Sequence, residues 1–320
     1  MKKFTFLVVA VLLTITCCER STDETQNQFD PEVFLLTSNG LAYKFSDFEL
    51  YDSSTHMFYF KTIHEEFENF ENETFTFFDN GDTIYSGCFW PNYFSSIPAG
   101  PFISSTPSFY GNYVLRIEFW YDNKPDVRNC QDMIDVLQER DLLHAGLAVT
   151  ISSVDINGMQ LSFSFTVTNH DQTDLLILDP DKMGPALFHY YTIGLRIHDL
   201  EHNEVFTGNI VSEPPSPWNS WNADWLSELP SGESKQFTVV YTMNSSINPG
   251  EYIASFNYPG LSFQVAKDQL FQGTNRIWLG DIRISQLIKA DSAGVSVSRI
   301  IDMITPEGKI LNFAGIHHVY

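Results

Sequence analysis

The amino-acid sequence predicts a mainly β protein, in which an antiparallel β-sandwich follows a β-rich α+β domain with one amphipathic helix. The chain contains 27 Phe, 14 Tyr and 6 Trp, and aromatic residues are enriched in strands. Residues 161–167 alternate between apolar and hydroxyl side chains, the pattern of a strand with one buried face. Long segments with helical periodicity are few.

Residues 1–17 have the features of a secretory signal. Lys2 and Lys3 precede an uncharged apolar run that is too short to cross a bilayer. Cys18 follows directly, and this order resembles the bacterial lipoprotein signal, in which the cysteine is lipidated and becomes the mature N-terminus. The resemblance implies attachment through acyl chains on Cys18. Cys17 is the alternative site, and an ordinary cleaved signal is the other interpretation.

Residues 18–33 are polar and acidic and predict a flexible tether. Acidic residues after a lipoprotein cysteine resemble the surface-export signals of Bacteroidota. This resemblance implies a lipid-anchored protein of the bacterial cell envelope, at the outer membrane and exposed at the cell surface.

The formal net charge of −22 makes the surface strongly acidic. Binding to nucleic acid, or electrostatic adsorption to anionic lipid, requires clusters of Lys and Arg. We therefore expect no nucleic-acid partner, and a membrane contact through the lipid anchor alone.

Residues 34–145 predict the β-rich N-terminal domain. Phe-rich runs flank a turn at Asn80 and Gly81, a pair that supplies the positive φ angles of a hairpin. Apolar residues recur at helical spacing from Val127 and predict a helix near residues 126–142. Cys88 and Cys130 are the two cysteines beyond the signal, and we expect them to form a disulfide between sheet and helix in an oxidising compartment. Two separate thiols are the alternative.

Residues 146–285 predict the sandwich, and residues 286–320 a C-terminal extension. After the strand at 161–167, further strands are expected at 193–199, 236–243, 252–258 and 276–284, each bounded by turn residues. Short strands at this spacing are typical of a sandwich.

The segments FTVTNHDQTDLLI, LRIHDLEHNEVF, LPSGESKQFTVVY and PGEYIASFNYPG, in this order, look like the immunoglobulin-like sandwich of BsuPI-type proteinase inhibitor domains and of many Bacteroidota lipoproteins. The resemblance covers about 110 residues. It implies the fold, and it makes protease inhibition an alternative function. No reactive loop can be carried over, and fold analogy alone does not establish an activity.

Four acids close together in the sequence form a weak candidate Ca²⁺ site, because Ca²⁺ binds six to eight oxygen atoms. They lack the spacing of an EF-hand, and a solvated turn is the favoured alternative. The four residues are Asp171, Asp174, Asp179 and Asp181.

Three tryptophans in the segment PPSPWNSWNADW form the candidate ligand surface. Their rings can stack on sugars while neighbouring amides and a carboxylate bind hydroxyls. The alternative, which we favour for at least two of them, is that the rings pack the loop onto the sandwich, with Trp221 the most exposed. The candidate ligand residues are Trp218, Trp221, Trp225, Asn219, Asn222 and Asp224.

No catalytic motif of the common hydrolase or phosphate-binding kinds occurs in the sequence. We expect a non-enzymatic binding or structural protein without a cofactor, with a glycan, a peptide or an envelope protein as its partner. A hydrolase is the most distant alternative.

Overall fold

The computed structural model describes residues 30–64, 70, 73–94, 96, 98–105, 110–119, 125–157, 159–208, 210–262, 264–291 and 294–296. The described residues from Pro31 onward belong to one compact unit. The predicted fold class is confirmed: the protein is mainly β, with several sheets and a few helices. The predicted signal and most of the tether lie outside the described residues, as does most of the C-terminal extension.

Two sheets form from the chain before residue 146. The N-terminal sheet has the order β2-β1-β5-β6-β7, and the middle sheet has the order β8-β4-β3-β9. The elements are β1 (Val33–Thr37), β2 (Ala42–Lys44), β3 (Phe48–Asp52), β4 (Met57–Phe60), β5 (Thr74–Asp79), β6 (Asp82–Trp90), β7 (Phe102–Ser104), β8 (Val114–Arg116), α1 (Gln131–Glu139) and β9 (Leu143–His144).

The predicted hairpin and helix are both present. Asn80 and Gly81 adopt positive φ angles of 49° and 92° between β5 and β6, as a two-residue hairpin turn requires. The helix is shorter than predicted, because residues 128–129 form a turn and α1 spans only Gln131–Glu139. It buries Met133, Val136 and Leu137 against the N-terminal sheet's core.

The middle sheet is buried on both faces. Along β4, Phe58 and Phe60 belong to the core that covers the N-terminal sheet, whereas Met57 and Tyr59 belong to the core of the sandwich. Because alternate residues of a strand point to opposite faces, one four-residue strand contributes to two cores. The middle sheet is therefore a shared wall between them.

The chain from residue 146 forms the sandwich. Its elements are β10 (Leu147–Asn157), β11 (Gln160–Asn169), β12 (Leu175–Leu178), α2 (Pro180–Met183), α3 (Pro185–Thr192), β13 (Arg196–Asp199), β14 (Glu204–Thr207), β15 (Leu226–Leu229), β16 (Ser234–Thr242), β17 (Gly250–Pro259), β18 (Phe271–Gln272), β19 (Asn275–Ile277), β20 (Asp281–Asp291) and β21 (Gly294–Ser296). They make three sheets, with the orders β10-β11-β16, β14-β13-β17-β20-β21 and β15-β12-β19-β18.

Aromatic rings fill the space between the sheet β10-β11-β16 and the sheet β14-β13-β17-β20-β21. Phe163 and Phe165 on β11 lie 4.8 and 4.7 Å, centroid to centroid, from Phe256 on β17. The alternation predicted for residues 161–167 is confirmed for the apolar side chains, which are fully buried. On the opposite face Ser162 and Thr166 are partly exposed, whereas Ser164 is 7% exposed.

Three details differ from the prediction. The strand expected at 276–284 is divided into β19 and β20, because Gly280 adopts a φ of +100° between them. The strand expected at 193–199 begins only at Arg196, after the end of α3. The sheets are mostly antiparallel, but the pairs β3 with β9, β6 with β7 and β12 with β19 are parallel.

Candidate functional site

The aspartates of the predicted Ca²⁺ site do not converge on a common point. Asp171 and Asp179 are buried, with 2% and 1% of their surfaces exposed, and each binds a cationic side chain of the protein itself. Asp174 accepts a hydrogen bond from the backbone N–H of Ser231 at 2.9 Å. Within the part of the chain that the structure describes, no group of three or more His, Cys, Asp or Glu residues is placed to hold a metal ion. The Ca²⁺ prediction is therefore wrong.

Asp171 belongs to a buried charge network around Arg276, which is 1% exposed. The Nη2 of Arg276 donates to Asp171 Oδ2 and to Asp52 Oδ2, both at 2.9 Å. His144 Nδ1 lies 2.7 Å from Asp171 Oδ1 and donates to it. The guanidinium also stands over the ring of Tyr59, 5.4 Å from its centroid. These five residues are called the Arg276 network.

Asp52 is held by a second set of bonds. Its Oδ1 accepts from the backbone N–H of Ser54 at 3.0 Å and from the Ser54 hydroxyl at 2.6 Å. Trp278 Nε1 lies 3.4 Å from that hydroxyl. All these partners fix the carboxylate in place, as a buried charge requires.

The charges of the Arg276 network stabilise one another. Burial alone would raise the pKa of Asp171, but the hydrogen bond from His144 and the positive charge of Arg276 outweigh it and lower the pKa to about 2. Burial alone would lower the pKa of Arg276, whereas Asp52 and Asp171 raise it above its usual value. Both groups therefore stay ionised at neutral pH.

The network connects the two parts of the chain. Asp52 lies on β3 and His144 on β9 of the middle sheet, whereas Asp171 follows β11 and Arg276 lies on β19 of the sandwich. Its arrangement is that of a buried ion-pair cluster between elements. The sequence does not mark Asp52, His144 and Arg276 as site residues. Arg276 is 105 and 224 residues away from its two carboxylate partners, and no local pattern indicates such a pair.

Asp179 forms a separate buried ion pair. It begins α2 by accepting from the backbone N–H of Asp181 at 2.9 Å, and its other oxygen accepts from Lys235 Nζ at 2.6 Å and from the Ser227 hydroxyl. Burial opposes ionisation, but these bonds lower the pKa of Asp179 overall. The expected solvated turn is thus a helix start, and the sequence signal for it is the N-cap aspartate followed by Pro180 at the first helical position.

The tryptophan segment is divided between solvent and core. Trp218 is 63% exposed, whereas Trp221 and Trp225 are partly buried and pack against the sandwich core. The expectation of packing for two of the three rings agrees with this placement, but the expectation that Trp221 is the most exposed is wrong. Trp225 packs its edge against Tyr191 at 6.3 Å.

The polar residues of this segment have local roles. Asn222 caps a short 3₁₀ helix, Ala223–Trp225, by accepting from the backbone N–H of Asp224 at 2.9 Å. Asn219 is exposed beside Trp218. The structure therefore keeps Trp218 and Asn219 together at the surface and does not form a row of three rings.

Cys88 and Cys130 are free thiols, so the predicted disulfide is wrong. The reason is the alternation along β6. Tyr85 and Phe89 point into the core on which Cys130 packs, and Cys88, adjacent to Phe89, points to the opposite face of the sheet. Burial raises the pKa of the Cys88 thiol.

His189 on α3 is buried among aromatic residues. Its ring lies 6.2 Å from that of Tyr241, and Nδ1 has no hydrogen-bond partner among the described residues. Burial lowers the pKa of His189, which keeps the ring neutral.

The predicted lipidation site, Cys18, and its alternative, Cys17, lie outside the described residues. Among the residues that are described, none of the helices is both long and apolar enough to span a bilayer. No protein-family model matches the chain, and no curated protein matches it.

Proposed function

We propose that the protein is a lipid-anchored, extracytoplasmic binding protein of a bacterial envelope, without enzymatic activity. The order of Lys2, Lys3, the apolar run and Cys18 supports the anchor. The acidic tether supports display at the outer surface, as in the Bacteroidota lipoproteins that the N-terminus resembles.

The observation that carries this proposal is the contrast between buried charges and exposed aromatic side chains. Asp171, Asp179 and Arg276 are all engaged in ion pairs with other elements, which is a structural use of ionisable groups. Trp218 instead presents most of its ring to solvent. The exposed ring of Trp218 offers an apolar face for stacking, and the adjacent amide of Asn219 offers a hydrogen-bonding group.

The proposed ligand surface is therefore Trp218 with Asn219, and its ligand is a glycan, a peptide or an envelope protein. Mass spectrometry of the mature N-terminus tests the anchor, and we expect an acylated Cys18. An unmodified N-terminus at another residue would contradict the localisation.

Alanine variants of two tryptophans separate binding from packing. We expect Trp218→Ala to reduce binding to immobilised glycans or envelope extracts and to leave the free energy of unfolding within about 0.5 kcal/mol. The matched control is Trp221→Ala, which removes a partly buried ring and should cost about 2 kcal/mol of stability.

Equal binding by the Trp218→Ala variant and the parent would contradict the proposed ligand surface. Inhibition of a protease by both proteins would instead favour the inhibitor function that the BsuPI resemblance implies.

A further inference from the structure

A long uncharged segment interrupts this acidic chain. Residues 83–115 contain no Asp, Glu, Lys, Arg or His, whereas 18% of the whole chain is Asp, Glu, Lys or Arg. The same segment contains nine aromatic residues and four prolines. Much of it lies on β6, β7 and β8, but the connection that follows β6 brings aromatic rings to the surface.

That connection begins with Trp90-Pro91-Asn92-Tyr93-Phe94, called here the aromatic loop. Phe94 donates its backbone N–H to the carbonyl oxygen of Pro91 at 3.1 Å, which closes a turn. Trp90 Nε1 donates to the carbonyl oxygen of Ser96 at 3.0 Å. The indole thus holds the loop in one conformation and is not itself available as a donor.

The rings of the aromatic loop form a chain of edge contacts. Phe94 stands edge-on to Trp90 at 5.1 Å and to Tyr93 at 5.1 Å. Tyr93 is 60% exposed and Phe94 is 37% exposed. Trp90 holds Phe94, and Phe94 in turn contacts Tyr93. Exposed rings that already have packing partners lose less side-chain entropy on binding.

The aromatic loop and the start of β1 lie at opposite ends of the N-terminal sheet. β1 pairs antiparallel with β5, and β5 pairs antiparallel with β6, so β1 and β6 run in the same direction. The chain enters the sheet at Val33, the start of β1, and the aromatic loop follows the end of β6. The loop therefore lies at the end of the sheet away from the point of entry.

We propose that the aromatic loop is a binding site for a neutral glycan, with Tyr93 and Phe94 as the stacking surface. Sugar rings present C–H faces that pack on aromatic rings, and neutral sugars need no charged partner. Anionic glycans are repelled by a chain with a net charge of −22. This inference rests on the proposed function as a binding protein, but it uses a surface distinct from Trp218.

Isothermal titration of the full-length, detergent-solubilised protein with neutral oligosaccharides tests the proposal. The probes are a panel of gluco-, xylo- and manno-oligosaccharides, with a uronic-acid oligosaccharide as the anionic comparison. We expect the double variant Tyr93→Ala with Phe94→Ala to weaken binding of the neutral ligand at least about tenfold. The Tm should fall only slightly, because Tyr93 is 60% exposed and Phe94 is 37% exposed.

The matched control is Phe271→Ala, since Phe271 is also 37% exposed but lies on β18 of the sandwich. This control should retain full affinity. Equal affinity in the double variant and the parent, or absence of binding to any neutral probe, would overturn the proposal. Flotation of the parent with phosphatidylcholine vesicles after Cys17→Ala and Cys18→Ala substitution, lost in the double variant, would assign the loop to a membrane surface instead.

The two proposals fail separately. If Trp218→Ala loses binding and the Tyr93 and Phe94 double variant does not, the result contradicts the glycan site at the aromatic loop. The proposed function as a binding protein is then still supported. An acylated, folded protein that hydrolyses the probe would instead contradict the proposed function itself.

Discussion

The guanidinium of Arg276 holds together two carboxylates that would be unstable without it. Asp52 and Asp171 have fully buried side chains, and an unpaired charge in such a place costs several kcal/mol. The two ion pairs of Arg276 therefore allow Asp52 and Asp171 to be buried, and they are not a source of extra stability. For the same reason, we expect any substitution that leaves a buried charge of the Arg276 network without its partner to lower the free energy of unfolding.

We predict that Arg276→Met destabilises the protein by about 3–5 kcal/mol, because it leaves two buried carboxylates without their cation. Chemical denaturation followed by circular dichroism measures this loss. The matched control is Arg283→Met, whose cation is 54% exposed at its pair with Asp281, and which should change stability by less than about 1 kcal/mol. Equal effects of the two substitutions would contradict the assigned role of Arg276.

The low pKa of Asp171 predicts a specific pH dependence of stability. Because its pKa is about 2 in the folded protein and about 4 in the unfolded chain, its contribution is complete above pH 4 and is lost as the pH falls towards 2. The difference of about two pKa units corresponds to about 3 kcal/mol. Denaturation curves at pH 2 to 7 should show this loss, and Asp171→Asn should reduce the slope between pH 4 and 2.

The sequence could not predict these roles at the level of single residues. Asp171 and Asp179 stand in a polar, turn-like segment whose local composition is that of an exposed loop. Their burial depends on Arg276 and Lys235, which reach them only after the sheets have assembled. Trp218 and Trp221 are similarly placed by packing rather than by their immediate neighbours.

Single elements follow their local signals more closely. The hairpin at Asn80 and Gly81 and the alternation of β11 were predictable because turn angles and face period are local properties. The break between β19 and β20 was not predicted, because the sequence does not indicate which glycine adopts a positive φ angle. Helices α2 and α3 each begin with a proline, and that signal was available.

The alternation of β6 predicts that Cys88 and Cys130 remain unpaired. Thiol titration of the unfolded, unreduced protein, carried out on a variant with Cys17→Ala and Cys18→Ala, should detect two thiols per chain. A count of zero would show that the sheet and α1 are joined by a disulfide after all, and that Cys88 faces the core.

The packing of β6 also predicts a severe effect of a single methyl group at Gly87. A Cβ atom there would lie 2.3 Å from the ring of Phe75 and 2.4 Å from the carbonyl oxygen of Pro101. Since one of these neighbours is backbone, Gly87→Ala should cost about 1–3 kcal/mol. Ser86→Ala, on the exposed face of the same strand, is the control, and a larger loss there would contradict the assigned faces of β6.

The whole molecule is organised around the middle sheet, whose two faces belong to different hydrophobic cores. The continuous apolar run of β4 is consistent with a strand buried on both sides, but its sequence does not say what covers it. The mainly β class was predictable from composition and period. The position of the middle sheet between two cores was not predictable, because it depends on contacts between segments that are far apart in the chain.

A shared wall predicts that the two cores unfold together. Phe34 is fully buried in the N-terminal core, and Phe34→Ala should cost about 3–5 kcal/mol. We expect this variant to lower one common transition, seen at the same denaturant concentration by circular dichroism and by tryptophan fluorescence. Two separated transitions, with only the first displaced, would show that the cores are independent.

The distance along the chain between Asp52 and Arg276 sets a delay during biosynthesis. At a translation rate of about 5–20 residues per second, the 224 residues between them take about 10–45 seconds to be made. During that interval the carboxylate of Asp52 has no guanidinium with which to form an ion pair. Early closure of the middle sheet would therefore bury an unpaired negative charge. The nascent N-terminal part must therefore keep this carboxylate hydrated, and the carboxylate is buried only when Arg276 has emerged.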